Sequence, residues 1–260
     1  MPATAVSSLI DLAARDMMRI EGGSFTPEGG PIMQVDDFLL SRYHVTQELW
    51  EGVMGNNPSS FSGARRPVEK VSWYDAVEFC NALSECNNLA PCYYHDKAFQ
   101  QVFGRRGGRY TLSNKGEVFW NPAATGYRLP TEMEWEYAAR GGRQSQGFEY
   151  AGGEKLEESG WYDDNSYEET QPVGLKLPNE LGLYDMNGNV WEWCWDWYGN
   201  YPKQQQQLNY KGADVGSHRV VRGGSWNFES QYCRVSNRFS GYPGFRYYFV
   251  GFRVAASFPQ

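Results

Sequence analysis

One seven-residue run constrains this chain more than any other. Trp191, Trp193, Trp195 and Trp197 alternate with Glu192, Cys194 and Asp196, the period-two pattern of a β-strand with indoles along one face. A face of indoles needs burial, and each ring N–H needs a partner, so the run reads as core rather than as a ligand platform. Asn187-Gly188-Asn189 just before it is a turn signal.

The remaining composition agrees with a fold built from short pieces. Aromatics make up 16% of the 260 residues and glycine numbers 29, which points to many turns and short strands around a few helices, an α+β class. A chain of this length buries one sizeable core, and no 20 to 50 residue repeat divides it. Residues 1–17 read as an N-terminal extension and 18–260 as a single domain. The net charge of -7 offers no basic field to displace phosphate counterions, so nucleic acid is not an expected partner. No run of eighteen apolar residues predicts a membrane span. Met1 to Met18 lacks the basic and continuous apolar regions of a secretion signal.

Five cysteines (Cys80, Cys86, Cys92, Cys194, Cys233) are an odd number without a CxxC. Neither a zinc ribbon nor a full disulfide framework is indicated, although Cys86 and Cys92 are close enough in sequence to pair. Gly22-Gly23, Gly107-Gly108 and Gly152-Gly153 read as turns, and the Gln-rich interval Lys203 to Gln207 as an inserted surface loop.

Three helices are marked by their caps. Thr46, with Val45 and Trp50 placed as a hydrophobic staple and Gly55 and Pro58 as terminators, predicts a helix near 46–54. Ser72 with Asp75 three residues on begins a second, whose Ala76, Val77, Cys80 and Leu83 share a face. Thr131 and Glu134 form a capping box for a third, ended by Gly141-Gly142. Strand-like runs fall near Met18–Ile20, Phe38–Tyr43, Arg219–Val221 and Val250–Ala255, and strand at both ends predicts that the termini share one sheet.

Four segments in order carry a resemblance: Val71-Ser72-Trp73-Tyr74-Asp75-Ala76; Arg128-Leu129-Pro130-Thr131-Glu132 with Trp135-Glu136-Tyr137; Gly182 to Trp193; and Arg222-Gly223-Gly224-Ser225-Trp226 with Gly251-Phe252-Arg253. Together they resemble the formylglycine-generating-enzyme (sulfatase-modifying factor) family from about Met18 to Ala256. That resemblance implies a C-type-lectin-like fold with few helices, a twisted antiparallel sheet and much irregular structure.

The resemblance also sets out chemistry to test. Catalytic members carry cysteines three and eight residues beyond the Gly-Gly-Ser serine, where this chain has Phe228 and Cys233. One thiolate does not supply the paired soft ligands that hold copper(I), so formylglycine-generating catalysis is expected to be absent and Cys233 to be a small buried residue. Related iron-dependent thiol oxidation needs clustered histidines, and His44, His95 and His218 are scattered. No nucleophile elbow or Walker loop occurs. No cofactor is required on this reading, with calcium as the one candidate. The resemblance maps a calcium site onto the Asp185 and Glu192 side chains and carbonyls near Gly188 and Val190, oxygen ligands that suit the ion. The other reading of the same residues is that Asp185 caps a turn and Glu192 bonds to backbone in a polar core. Asp163-Asp164-Asn165 is a second, weaker candidate. No Glu-Pro-Asn triplet of a sugar-binding lectin occurs.

Trp226 to Phe252 holds ten aromatics in 27 residues, spaced for neither a strand face nor a helix stripe. Gly241, Pro243 and Gly244 break the segment into loops and short strands that leave several aromatics exposed. Tyr with Ser and Gly is also what recognition surfaces use. The frame Arg-Gly-Gly-Ser-Trp, Cys233 to Arg238, Pro243, Arg246 and Gly251-Phe252-Arg253 resembles the variable region, here 226–252, of proteins diversified by retroelements that randomise the adenines of Asn codons. Phe228, Ser230, Tyr232, Phe239, Ser240, Gly241, Tyr242, Gly244, Phe245, Tyr247, Tyr248 and Phe249 are residue types that such randomisation reaches. They form the expected ligand-binding surface, with Tyr242, Phe245, Tyr247, Tyr248 and Phe249 on one exposed face. The resemblance implies a monomeric receptor-like protein at a bacterial surface, lipid-anchored if a leader has been removed, which binds a protein or other surface macromolecule. The competing readings are an oxidoreductase-type family enzyme and a calcium-dependent lectin.

Overall fold

The computed structural model describes residues 11, 14–106, 109–110, 116–203 and 206–258; Gly107-Gly108 lies outside them. The three predicted helices are present. Gln47–Met54 is capped by Thr46, whose hydroxyl accepts the Leu49 amide, and closed by Gly55 in the left-handed region. Trp73–Cys86 and Glu132–Ala139 each begin in a reciprocal capping box, Ser72 with Asp75 and Thr131 with Glu134. Each box satisfies two of the amides that a helix start leaves without partners.

Met17–Ile20 and Ala255–Ser257 flank Phe38–Ser41 in one antiparallel sheet, with Tyr127–Arg128 beyond Ala255–Ser257. The termini therefore share a sheet, with Phe38–Ser41 between them. The predicted run Val250–Ala255 is broken: Val250–Gly251 pairs with Trp191–Glu192 in a second sheet, and strand resumes only at Ala255. That second sheet runs Arg238–Gly241, Arg219–Arg222, Trp191–Trp197, Val250–Gly251. The Gln-rich interval is not wholly loop, because Gln206–Leu208 pairs in parallel with Ile32–Gln34. Backbone pairing is indifferent to side-chain polarity, so a polar run can still form an edge strand. The cysteines are all unpaired, Cys92 being buried and Cys86 exposed.

The Trp191–Trp197 strand is the centre of the molecule. Trp191 and Trp193 pack into a core with Trp50, Trp73, Phe79 and Phe252, while Cys194 enters a second core with Trp135, Met186 and Val220. Glu192, Cys194 and Asp196 are as fully buried as Trp191 and Trp193, and the two outer indoles, Trp195 and Trp197, are half-buried. Period-two alternation thus separates two cores rather than core from water. Glu132 and Glu136, buried beside this strand, are paired with arginines of the second sheet. Arg222 lies 2.5 Å from Glu136, and Arg238 reaches Glu132 at 2.6 and 2.7 Å. Breaking a buried pair leaves an uncompensated charge, so these contacts fix the second sheet against the Glu132–Ala139 helix.

Candidate functional site

The C-terminal segment is held by its frame residues. Gly223 and Gly224 both have positive φ, and a Cβ on Gly224 would stand 2.5 Å from the Cys233 sulfur. Trp226 donates its amide to Asn189 and Trp191 its amide to Phe249, each at 2.9 Å. The loop 242–249 is docked on the start of the Trp73–Cys86 helix: Lys70 and Trp73 amides donate to the Tyr247 and Pro243 carbonyls at 3.0 Å. Trp226, Cys233 and Phe252 are buried, and Asn237 donates to the Tyr232 carbonyl.

Upon this frame the aromatic rings make one continuous series of contacts. Tyr242 meets Phe245, Phe245 meets Tyr247, and Tyr247 meets Phe249, with centroids 5.2, 5.8 and 5.3 Å apart. Phe249 continues to Phe228 at 5.5 Å and to Tyr248 at 5.3 Å. Phe228 in turn touches Tyr232, Phe239 and the buried Trp191. The structure brings together all the aromatic residues among the twelve expected binding positions.

Their exposure is graded, and this corrects the expectation of one exposed face. Phe239, Tyr242, Phe245 and Tyr248 are 44, 49, 56 and 46% exposed. Tyr247 and Phe249, like Phe228 and Tyr232, are half-buried and pack against the main core. The reason is the docking just described, which turns the loop's odd-numbered side chains at 247 and 249 inward. Ser230, Ser240 and Gly244 are half-buried, and Gly241 is buried against Trp193. Two neighbours were not legible in sequence. Phe61 meets Trp226 edge-on at 5.2 Å, and His218 lies 3.9 Å from Tyr242; neither residue has a local pattern that would announce it.

Phe228, where the resemblance expects the family's first cysteine, stands edge-on to Trp191 at 5.5 Å. Cys233 is fully buried beside Tyr150 and Leu156. Burial, followed by the negative charge of Asp163, pushes its thiol up to about 12, which leaves almost no thiolate at neutral pH.

The proposed calcium ligands do not form a cation cage. Both oxygens of Glu192 face the Arg253 guanidinium at 2.7 and 2.9 Å, and His44 lies 3.1 Å from one of them. Arg253 fills the rest of its surroundings with the Ser41, Arg42 and Tyr184 carbonyls. A divalent ion on Glu192 would meet a guanidinium where it needs oxygens. Asp185 accepts the Gly174 amide at 2.8 Å and has one buried oxygen without a partner, while Gly188 and Val190 are buried in backbone pairing and core. At Asp163-Asp164-Asn165, the Asn165 side chain accepts the Tyr162 amide and so caps the turn.

Fold and site together define a C-type-lectin-like scaffold of the formylglycine-generating-enzyme type that presents an aromatic surface. Residues 4–258 match the sulfatase-modifying factor enzyme 1-like domain, and the chain belongs to that family. It is 38% identical over 250 residues to the chaperone protein LppX of Paenibacillus barcinonensis, covering 88% of this chain and 83% of that one. It is 36% identical over 224 residues to the formylglycine-generating enzyme of Mus musculus, covering 80% of this chain and 48% of the enzyme; the chain thus spans about half the length of that relative. Among solved structures, Treponema denticola variable protein 1 superposes with a TM-score of 0.80 at 36% identity, covering 93% of this chain and 94% of that one. The expected family and fold hold.

Proposed function

We propose that this chain is a ligand-binding protein without formylglycine-generating catalysis, and that its recognition surface is the aromatic series from Phe228 to Phe249. One observation carries the reading. The rings form a single connected surface whose outermost members, Phe239, Tyr242, Phe245 and Tyr248, are 44, 49, 56 and 46% exposed, while the frame residues Trp226, Cys233 and Phe252 are buried. Exposed side chains can then change without loss of the frame, as a diversified surface requires. Similarity to a protein named variable protein 1 supports the same assignment. The enzyme reading is disfavoured by Phe228 and by the buried thiol of Cys233, and the calcium-lectin reading by the Arg253–Glu192 pair.

The ligand in this reading is a protein or other surface macromolecule, since a standard interface buries about 800 Å² per partner, an area within reach of a dozen residues and their neighbours. A chaperone, as the Paenibacillus relative is named, would also act by binding a polypeptide. Among the described residues no helix is long and apolar enough to cross a membrane, and display at a bacterial surface is part of the proposal.

Two measurements test it. Incubation with copper and a cysteine-containing sulfatase peptide should give no aldehyde by mass spectrometry, and turnover would overturn the non-catalytic reading. Sequencing the gene from independent isolates should show exchanges concentrated at the twelve positions expected from the sequence, with Arg222, Gly224, Arg238 and Arg246 constant. Exchanges spread evenly over the domain would overturn the diversified surface.

A further inference from the structure

The aromatic series is bordered at one end by acid. Beside Phe228 stand three exposed carboxylates, Glu229 next in sequence and Asp163 and Asp164 on the neighbouring loop, whose Asp163 amide donates to the Phe228 carbonyl at 3.2 Å. Glu229 accepts the Gln231 side-chain amide at 2.9 Å. Among the described residues no arginine or lysine forms an ion pair with any of the three. The cations around the series are committed elsewhere: Arg234 pairs with Glu149, Arg238 with Glu132 and Arg246 with Asp75, and Lys70, whose amide holds the Tyr247 carbonyl, acts on the adjacent Glu69. The edge beside Phe228 therefore turns net negative charge toward water.

The exposed rings are likewise without cations. Among the described residues the guanidinium and ammonium groups that stand over ring faces do so elsewhere, as Arg219 does over Trp197 at 3.4 Å and Arg238 over Tyr201 at 4.1 Å. Phe239, Tyr242, Phe245 and Tyr248 are between 44 and 56% exposed. A guanidinium over the face of Tyr or Phe is attracted by the ring quadrupole, and its planar donors also match a carboxylate. Exposed carboxylates alone are ordinarily just solvated. Here they adjoin a connected series of exposed rings, so one surface offers both kinds of contact that an arginine makes. The net charge of -7 acts in the same direction, since it attracts a basic partner and repels an anionic one.

We infer that this surface takes a protein partner that presents arginines from an apolar patch. The guanidinium groups lie on the exposed rings and pair with Asp163, Asp164 and Glu229. The inference rests on the aromatic series being a recognition surface and adds the chemistry of what that surface recognises.

The test uses the full chain with acetylated hexaarginine amide as probe, and hexalysine and hexaglutamate as its counterparts, at about 50 mM salt, where surface charges are little screened. Hexaarginine should bind saturably, more tightly than hexalysine, and shift the ring resonances of Tyr242, Phe245 and Tyr248, while hexaglutamate should not bind. Asp163→Asn, Asp164→Asn and Glu229→Gln together should weaken hexaarginine by about tenfold, the combined effect of three exposed ion pairs. Glu21→Gln, Glu28→Gln and Asp36→Asn remove the same charge from exposed positions in or beside a different sheet and should change it by less than about twofold. Tyr242→Ser, Phe245→Ser and Tyr248→Ser together should abolish the preference for arginine over lysine. Absence of saturable binding, equal binding of hexaglutamate, unmoved ring resonances, equal loss in the two charge-neutralised variants or an arginine preference that survives loss of the rings would each overturn the arginine-bearing partner. The pattern of exchanges among isolates tests the surface itself, so failure here removes this partner without removing the surface.

Discussion

Arg246 grips both carboxylate oxygens of Asp75, Nε at 2.6 Å and Nη2 at 2.7 Å, and the same carboxylate accepts the Ser72 amide that opens the Trp73–Cys86 helix. One side chain therefore caps a helix of the scaffold and anchors the loop of the recognition surface. The loop takes its position from the helix start rather than from its own exposed aromatics. Arg246→Ala should raise hydrogen exchange at the Lys70 and Trp73 amides, which donate to that loop, and leave the helix interior protected. Asp75→Ala should do both, with about 0.5–2 kcal/mol lost for the cap alone. Equal exchange at Lys70 and Trp73 in Arg246→Ala and parent protein would show that the clamp does not hold the loop.

Recognition and stability should separate along the aromatic series. Tyr242→Ser, Phe245→Ser and Tyr248→Ser, each at an exposed site, should each shift stability by no more than about 0.5 kcal/mol. Phe252→Ala, in the fully buried core, should cost about 3–5 kcal/mol. Phe249→Ser should fall between them, because Phe249 is half-buried against the core. Denaturant titration of the five variants orders them, and unfolding of the exposed triple variant would make those rings core.

Thiol labelling distinguishes the cysteines by burial. With iodoacetamide at pH 8 the native protein should acquire one adduct, at the exposed Cys86, and after denaturation five. Cys233 and Cys92, both held near 12 by burial, should be silent in the native state. Rapid native labelling of Cys233 would restore it as a reactive residue.

Acid should act through Glu192. Burial alone would raise its pKa from 4.5, but Arg253 and His44 overcome burial and hold it near 2. A carboxylate whose pKa is depressed on folding contributes stability that is fully present above its unfolded value and is lost as pH falls through the folded one. That contribution is present above about 4.5 and declines toward 2. Glu192→Gln should be destabilised at pH 7 by about 3–5 kcal/mol, because the Arg253 charge stays buried without its partner. Its stability should also fall less steeply than the parent's over that acid range. An unchanged acid slope, measured by urea titration at several pH values, would contradict the assignment.

Chelation should leave the protein alone. With Glu192 committed to Arg253, EDTA should not lower the melting temperature and added calcium should not raise it, since an ion bound only by the native state would stabilise by mass action. A calcium-dependent rise would return Asp185 and Glu192 to the role of ligands.

What the sequence determined by itself was local or carried by contiguous motifs. Thr46, Ser72 and Thr131 announced their helices because a cap is a contact between residues three apart, and the residue standing where the resemblance expects a cysteine, Phe228, could be read from its distance to Ser225. The ring enrichment between Trp226 and Phe252 was likewise legible as composition. Only the tertiary structure decided which rings face water. Tyr247 and Phe249 turn inward because Lys70 and Trp73, far away in sequence, hold the loop backbone by hydrogen bonds. The same holds for the carboxylates of the central strand. Alternation shows that Glu192 and Asp196 share a face, but not whether water, a metal ion or an arginine meets it. That depended on Arg253, placed beside Glu192 by long-range pairing of the chain's end with its centre.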